Sequence, residues 1–446
     1  MAIDIQAKFG FEENLMSEIR NLKVLLLIVS IVINWVQIER KVMLRTPTSI
    51  AFLIPAHNEM SSIRKTALSA LNQSACSLPD TKVHVYVIAD NCQDRTGEVV
   101  LETIQQLRAI EKLPNVFLCK TTGNTGRKAG ALNHGYRLIQ SLGIQYQYFI
   151  SVDADTVLDP KFLENGLAAL EDGDGGICGR IYLLPFDKKP FLITPPPFRG
   201  NFFSLAMWIL LHVWKAITWA LHTFWEYLWW SYQNIQYALC QTEIIGRRGK
   251  AYCLAGPGTL FKSSVLKEIF EKYGEVWPTH SIVEDFALTK RIQMHNYKTK
   301  VGHDMFTYTD CPIGFRQHRL QQERWNGGNL REFLDIGFNR HTTFESIDLG
   351  LQLLWYVCRI TLIMTALNIV RTGFVYIDNA TLWFLIVPLV ITTIMNVVRF
   401  PYIPYKSLLQ FLLLVCFGYE LYALWYGVIL VKSFYRAFTR TFRYWS

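Results

Sequence analysis

The chain has 446 residues, 51% of them hydrophobic, 14% aromatic and 18% charged, which leaves room for one domain of roughly 250 to 300 residues plus membrane helices. The net charge of +9 falls largely beside apolar runs, in Arg40, Lys41 and Arg45 and in Lys432, Arg436, Arg440 and Arg443. That is the flanking pattern of membrane helices, so the charge does not point to nucleic acid as a partner.

Val24 to Val36 (VLLLIVSIVINWV) is an uncharged apolar run with no small-residue cleavage site after it. It reads as a retained signal anchor, with a buried helix as the alternative. Arg40, Lys41 and Arg45 outweigh Glu39, which predicts that the chain from about residue 40 lies in the cytosol. Residues 1–45 are therefore expected to form a leader and transmembrane helix, and residues 46–345 a cytosolic domain.

In that domain Ser49–Ile54, Val83–Ala89, Val116–Cys119 and Tyr148–Val152 are near-continuous apolar runs of strand length. The first linking stretch, Ser61–Leu71, is helical, with Ile63, Ala67, Leu68 and Leu71 on one face. Strands buried on both faces and separated by helices predict an α/β fold around a mostly parallel sheet, which binds its ligands beyond the carboxyl ends of the strands.

Polar residues stand at those ends. The second strand runs into Asp90 and the fourth into Asp153-Ala154-Asp155. Two strands that deliver carboxylates to one rim need a cation or a donor-rich ligand, and Asp153 and Asp155 can aim at a metal-bound diphosphate, or else cap a loop. Lys128 opens a helix after the turn containing Gly123 and Gly126, where an ammonium and free N–H groups suit a phosphate or a nucleotide edge.

Asn201 to Leu239 carries six of the thirteen tryptophans and, as charges, only Lys215 and Glu226. A single crossing there would put Asp155 and Asp285, which the resemblance given below implies share one active site, on opposite sides of a membrane, so residues 201–239 must lie in the interface, dip and return, or pack on the domain. Ile193 to Gly200, with Pro195, Pro196 and Pro197, reads as the hinge into it. Tyr252 to Thr259 is a small-residue loop that permits close approach, or a plain turn before a strand. His303 lies in a strand leading to Asp310 and is either a satisfied core histidine or a metal ligand.

Leu349–Val370, Leu382–Val398 and Leu408–Leu430 are three runs of spanning length, interrupted by Arg359 and Glu420, so residues 346–446 are expected to form transmembrane helices with a basic tail. Three crossings would leave that tail outside, against the positive-inside preference, so either one run does not cross or the tail is an exception. The nine cysteines are odd in number and never spaced CxxC, which argues against a disulfide framework or a structural zinc and for a reduced compartment.

The series Pro55-Ala56-His57-Asn58-Glu59, Asp90, Lys128-x-x-Ala131-Leu132-Asn133, Asp153-x-Asp155, Val283-Glu284-Asp285 and Gln321-x-x-Arg324-Trp325 resembles the processive members of glycosyltransferase family 2, the group of cellulose, chitin, hyaluronan and poly-N-acetylglucosamine synthases. The resemblance covers about residues 48–332 and rests on six motifs in order. It implies a GT-A catalytic domain, Rossmann-like, with transmembrane helices at both ends, in a multi-pass protein of the plasma (inner) membrane. It further implies a UDP-sugar donor (hexose or N-acetylhexosamine), Mg²⁺ or Mn²⁺, and a growing β-linked polysaccharide as acceptor, with transfer of one sugar to a lipid or glycan as the alternative.

Carried over by position, His57, Glu59 and Asp90 would hold the uridine, Lys128 the nucleotide, and Asp153 would face the UDP. Asp155 would ligate the metal, Asp285 would be the general base with Glu284 able to share that role, and Gln321, Arg324 and Trp325 would line the acceptor and diphosphate end. Val283 stands where the family usually has threonine, which keeps both carboxylates and removes a hydroxyl. A single base and no enzyme nucleophile implies one displacement with inversion.

Overall fold

The computed structural model describes residues 48–439 apart from 78–79, 110–114, 188–201, 247–248, 338, 340, most of 373–399 and 416–417. The expected anchor at Val24–Val36, the Pro195–Pro197 hinge, most of the Leu382–Val398 run and the tail beyond 439 lie outside the described residues. The elements in chain order are β1 (Thr48–Ala56), α1 (Ile63–Leu71), β2 (Thr81–Asp90), α2 (Thr96–Ala109), β3 (Val116–Thr121), α3 (Arg127–Ser141), β4 (Tyr148–Ser151), β5 (Thr156–Leu158), α4 (Phe162–Ala169) and β6 (Asp174–Leu183). They continue with α5 (Phe202–Gly246), β7 (Thr259–Lys262), α6 (Ser263–Tyr273), α7 (Glu284–Met294), β8 (Lys298–Thr309), α8 (Phe315–Ile336), α9 (Thr343–Thr372), α10 (Leu408–Val415) and α11 (Gly418–Thr439).

Alternation along β1 explains the layers. Ile50, Phe52 and Ile54 join Ile63 and Ala67 of α1, Val100 of α2 and Phe162 of α4 in one core. Ala51 and Leu53, on the opposite face of the same strand, meet Leu132 and Tyr136 of α3 and Leu288 and Ile292 of α7 in another. A strand buried on both faces has no polar side to show, which is why its sequence reads as a continuous apolar run.

The eight-stranded sheet has the order β3-β2-β1-β4-β7-β6-β8-β5. The four strands anticipated from sequence are all present and their pairs, β2 with β3, β1 with β2 and β1 with β4, are parallel. The sheet as a whole is mixed: β7 runs antiparallel to both β4 and β6, and β5 antiparallel to β8, while β6 and β8 are parallel. The expectation of a mostly parallel sheet is corrected on that half, where the short strands β5 and β7 run against their neighbours.

Register fixes the edge that matters. Ala56 lies opposite Ala89, Asp90 opposite Thr121, Ser151 opposite Thr259 and Thr156 opposite Thr309. The segments after β1, β2, β3 and β4, the loop entering β7 and the end of β8 therefore share one edge.

The tryptophan-rich segment is one 45-residue helix, α5. Trp230 Nε1 donates to the carbonyl of Leu184, 3.0 Å away, so the chain leaves the sheet and comes back to the point of departure. Its C-terminal part is buried: Ile235, Ala238 and Leu239 pack with Ile403 and with Leu413 and Leu414 of α10. Of the alternatives for residues 201–239, packing on the domain holds for this part.

Among the described residues no helix is long and apolar enough to cross a membrane. In the run Leu408–Leu430, expected to span, the described residues are helical, as α10 and the first part of α11. Helix α11 carries charges into a protein contact: Lys432 Nζ and Arg436 Nη1 lie 3.3 and 2.5 Å from the carboxylate of Glu323 on α8. Transmembrane helices at both ends therefore do not follow from the described residues.

Candidate active site

Lys128 occupies the second position of α3 and its ammonium reaches across the sheet edge. Nζ lies 2.6 Å from Asp153 Oδ1 and 3.0 Å from Glu284 Oε1. The strand-end motif after β4 and the motif opening α7, separated by 130 residues of sequence, meet on this one cation. Burial works against its charge, but Asp153, Glu284 and Asp285 outweigh it and hold the ammonium protonated.

Asp285 sits in the first turn of α7, whose capping position is Val283. Its Oδ1 accepts from the N–H of Phe286 at 2.8 Å and its Oδ2 from the N–H of Gly256 at 3.2 Å. Burial and the neighbouring Glu284 raise the Asp285 carboxyl above its ordinary range. Burial would raise Glu284 as well, but the Lys128 ammonium overrides it and holds that carboxyl low. The two adjacent carboxylates are thus driven apart, one committed to an ion pair and the other a better proton acceptor.

The loop from Tyr252 to Thr259 does approach the site. A Cβ added at Gly256 would stand 2.4 Å from Lys128 Nζ and 3.0 Å from Asp153 Oδ2, so only glycine leaves room for the Lys128–Asp153 pair.

Asp155 carries no cation of its own among the described residues. Its Oδ1 accepts from the hydroxyls of Thr309 at 3.2 Å and Thr156 at 3.3 Å. Burial, then Asp153, Glu59 and Asp310, push its carboxyl up to about 7. Burial likewise raises Glu59 and Asp310.

Lys128, Asp153, Asp155, Glu284, Asp285 and Asp310 line a cavity of about 540 Å³ together with Gln321, Arg324 and Trp325 of α8. Five carboxylates line it (Asp153, Asp155, Glu284, Asp285 and Asp310) against two cations, Lys128 and Arg324. Among the described residues no three histidine, cysteine, aspartate or glutamate side chains are assembled into a metal cage. A hard divalent cation that keeps water and substrate oxygens needs only one or two protein carboxylates, and the raised, cation-free Asp155 fits it.

His57, Glu59 and Asp90 are outside the lining of this cavity and follow the same sheet edge. His57 Nδ1 donates to the carbonyl of Asp90 at 2.7 Å. The buried Asp90 carboxylate accepts from the Thr121 hydroxyl and, at 2.9 Å, from Asn124 Nδ2. Glu59 has its carbonyl engaged by the first N–H groups of α1 and its Oε2 by Ser62 Oγ at 2.8 Å. His303 is exposed, with Nδ1 3.0 Å from Asp304 Oδ1, so it is neither a core histidine nor part of the cavity.

Sequence reading missed the cavity residues of α5 and α11, Gln236, Tyr237, Cys240 and Tyr426. A signal existed on α8, where positions 321, 322, 325, 326 and 329 repeat at helical spacing, but nothing local ties them to α5 or α11.

Residues 51–204 match the family model of Glycosyl transferase family 2 and residues 241–398 that of Glycosyl transferase family group 2. The chain carries glycosyltransferase family 2 domains. Similar to these domains are "Probable glycosyltransferase YdaM" of Bacillus subtilis (strain 168), 24% identical over 282 residues, covering 63% of this chain and 55% of the relative. Also similar is "Probable glucomannan 4-beta-mannosyltransferase 1" of Arabidopsis thaliana, 22% identical over 297 residues, covering 65% and 45%. The chain spans about half the length of these curated relatives. Among solved structures, the mannosyltransferase PcManGT from Pyrobaculum calidifontis, in complex with GDP-Man and Mn²⁺, aligns with TM-score 0.47 and 14% identity over 91% of this chain and 94% of that one.

Proposed function

We propose that this chain transfers a sugar from a nucleoside-diphosphate sugar to an acceptor hydroxyl in a single, inverting displacement. The observation that carries the reading is the convergence of Asp153, Lys128, Glu284 and Asp285 on one cavity. Asp285, raised and freed from the ion pair, is the base that takes the acceptor proton as the hydroxyl attacks the anomeric carbon from the face opposite the leaving diphosphate. Lys128 and Arg324 face the charge that grows on the diphosphate, and Glu284 and Asp153 fix the Lys128 ammonium in place. When bound at Asp155, Mg²⁺ or Mn²⁺ supplies neutralisation of the same diphosphate; without it a dianionic leaving group would face an excess of carboxylates. Asp90 and His57, at the neighbouring strand end, hold the nucleoside.

The donor is a UDP-sugar on the motif resemblance, and the mannosyltransferase names among the relatives support a mannosyl donor as the second reading. The acceptor is a growing β-linked polysaccharide, elongated at the cytosolic face of a membrane on which the exposed apolar stretch of α5 rests. The test is nucleoside diphosphate release by the full chain from a panel of UDP- and GDP-sugars with Mg²⁺ or Mn²⁺. Release from one donor is expected, and product length then separates a synthase from a single-transfer enzyme; no release from any donor refutes the proposal.

A further inference from the structure

Helix α7, which supplies the base, is fastened to the loop that faces it by a row of hydrogen bonds. Asp285, Thr289 and Gln293 stand four residues apart on α7 and so share one face. Each meets the backbone of residues 251–256. The Gly256 N–H donates to Asp285 Oδ2 at 3.2 Å, the Leu254 N–H to Thr289 Oγ1 at 2.7 Å, and Gln293 Nε2 to the carbonyl of Ala251 at 3.2 Å.

The direction of every bond is fixed. A hydroxyl has one proton, and because Thr289 Oγ1 accepts from Leu254, that proton goes to the carbonyl of Asp285, 2.6 Å away. One side chain thus joins the backbone of the base to the loop two residues before Gly256. Gln293 is set in the same way. Its Nε2 also donates to Thr299 Oγ1 at 2.8 Å, Thr299 gives its own proton to the Ala251 carbonyl at 2.7 Å, and Gln293 Oε1 accepts from the Lys290 ammonium at 3.2 Å. Lys290 donates in addition to the carbonyl of His341 at 3.1 Å. Thr289, Lys290, Ala251 and Leu254 are all buried, where backbone groups need partners. A mid-helix threonine ordinarily bonds only to the carbonyl one turn back; the bond that Thr289 receives from Leu254 is the additional one.

Neither Thr289 nor Gln293 lines the cavity. We infer that they are positioning residues: they hang residues 251–256 on α7, so that the Gly256 N–H stays on the Asp285 carboxylate beside the Lys128–Asp153 pair. The inference rests on the glycosyl-transfer reading above and adds to it what holds the base in place. An N–H donated to a carboxylate favours its charged form, so loosening the loop makes Asp285 easier to protonate. Glu284, Asp153, Lys128 and the thiols of Cys178 and Cys253 also interact with Asp285, and they stay in place in every variant.

The test is nucleoside diphosphate release by the full chain in detergent, read as kcat, donor KM and pH profile, together with hydrogen exchange of the amides of residues 251–258. Thr289→Val keeps the shape and deletes the hydroxyl. It should lower kcat about tenfold to a hundredfold with donor KM unchanged, and raise the pH below which turnover falls by roughly half a unit. The Leu254 and Gly256 amides should lose protection while the rest of the chain exchanges like the parent. Thr289→Ser returns the hydroxyl and should return all of these readouts. Gln293→Glu keeps the shape and the contact from Lys290 but has no donor for Ala251, and should give a smaller loss of kcat, since Ala251 is farther along the loop from Gly256. If Thr289→Val changes the melting temperature alone, with kcat, pH profile and exchange like the parent, the inference is overturned. A Thr289→Ser variant as impaired as Thr289→Val overturns it too. If the parent releases no nucleoside diphosphate from any donor, the glycosyl-transfer reading falls and takes the inference with it.

Discussion

At the scale of single residues, the site is organised by how one ammonium is shared. Lys128 takes Asp153 and Glu284, and Asp285, one position along, is left with two backbone donors. An Asp285→Asn change preserves shape and removes the proton acceptor. Turnover should fall at least about a hundredfold, while titration with the nucleotide still shows binding; loss of nucleotide binding instead would contradict the assignment of the base.

Asp155 invites the opposite kind of change. Its carboxyl is pushed up to about 7 by burial and by other carboxylates, so its ionised form is disfavoured in the metal-free fold relative to an unfolded chain, and that penalty builds up from the ordinary aspartate range, about 4, to about 7 and is fully present at pH 8. Asp155→Asn should therefore raise the melting temperature of metal-free protein at pH 8 by a few degrees while abolishing the rise that Mn²⁺ gives the parent. A metal-free melting temperature that drops would show that Asp155 is already compensated within the protein.

At the scale of elements, the placement of α7 depends on α8. A Cβ at Gly328 of α8 would come within 2.7 Å of Val283 Cγ1 and 3.0 Å of Ile282 Cγ1, and Val283 immediately precedes Glu284 and Asp285. Gly328→Ala should push that segment off its position and lower turnover roughly tenfold to a hundredfold, since reactions of this kind are sensitive to displacements of about an ångström. Adding Val283→Ala removes the colliding methyl groups and should restore most of the loss. Failure of the double variant to recover would place the damage within α8.

Strands β1, β2 and β4 were legible in the sequence because they are buried on both faces and their apolar runs are nearly continuous, and the edge strand β3 was legible from its short run Val116 to Cys119 although Phe117 is exposed. The antiparallel course of β7 and β5 was not, because strands of three and four residues carry too short a pattern to show period or direction. The single helix α5 was hidden for a different reason: its apolar side chains continue around the whole circumference, so periodicity does not separate a buried face from an exposed one.

At the scale of the whole molecule, α5 is divided. Its C-terminal part closes the cavity and its earlier turns present apolar side chains outward, with Leu210 62%, Trp214 65% and Leu221 65% exposed. A surface of that kind is unfavourable in water unless covered. If it rests on a bilayer, as proposed, the chain should float with liposomes on a density gradient, and Leu210→Asp, Trp214→Asp and Leu221→Asp together should shift it toward the soluble fraction. Unchanged flotation would assign membrane contact to other segments.

The sequence by itself determined the carboxylates, their order and the strand ends that present them, because apolar strands buried on both faces leave their polar residues only at the termini. It also argued that the tryptophan-rich segment does not separate Asp155 from Asp285, since the proposed reaction needs both. Only the tertiary structure decided which partners those carboxylates take. The pairing of Lys128 with Asp153 and Glu284, the approach of Gly256, and the cavity wall shared by α5, α8 and α11 join residues far apart in the chain. No local pattern encodes such contacts, because they are set by how whole layers pack and not by the preferences of neighbouring residues.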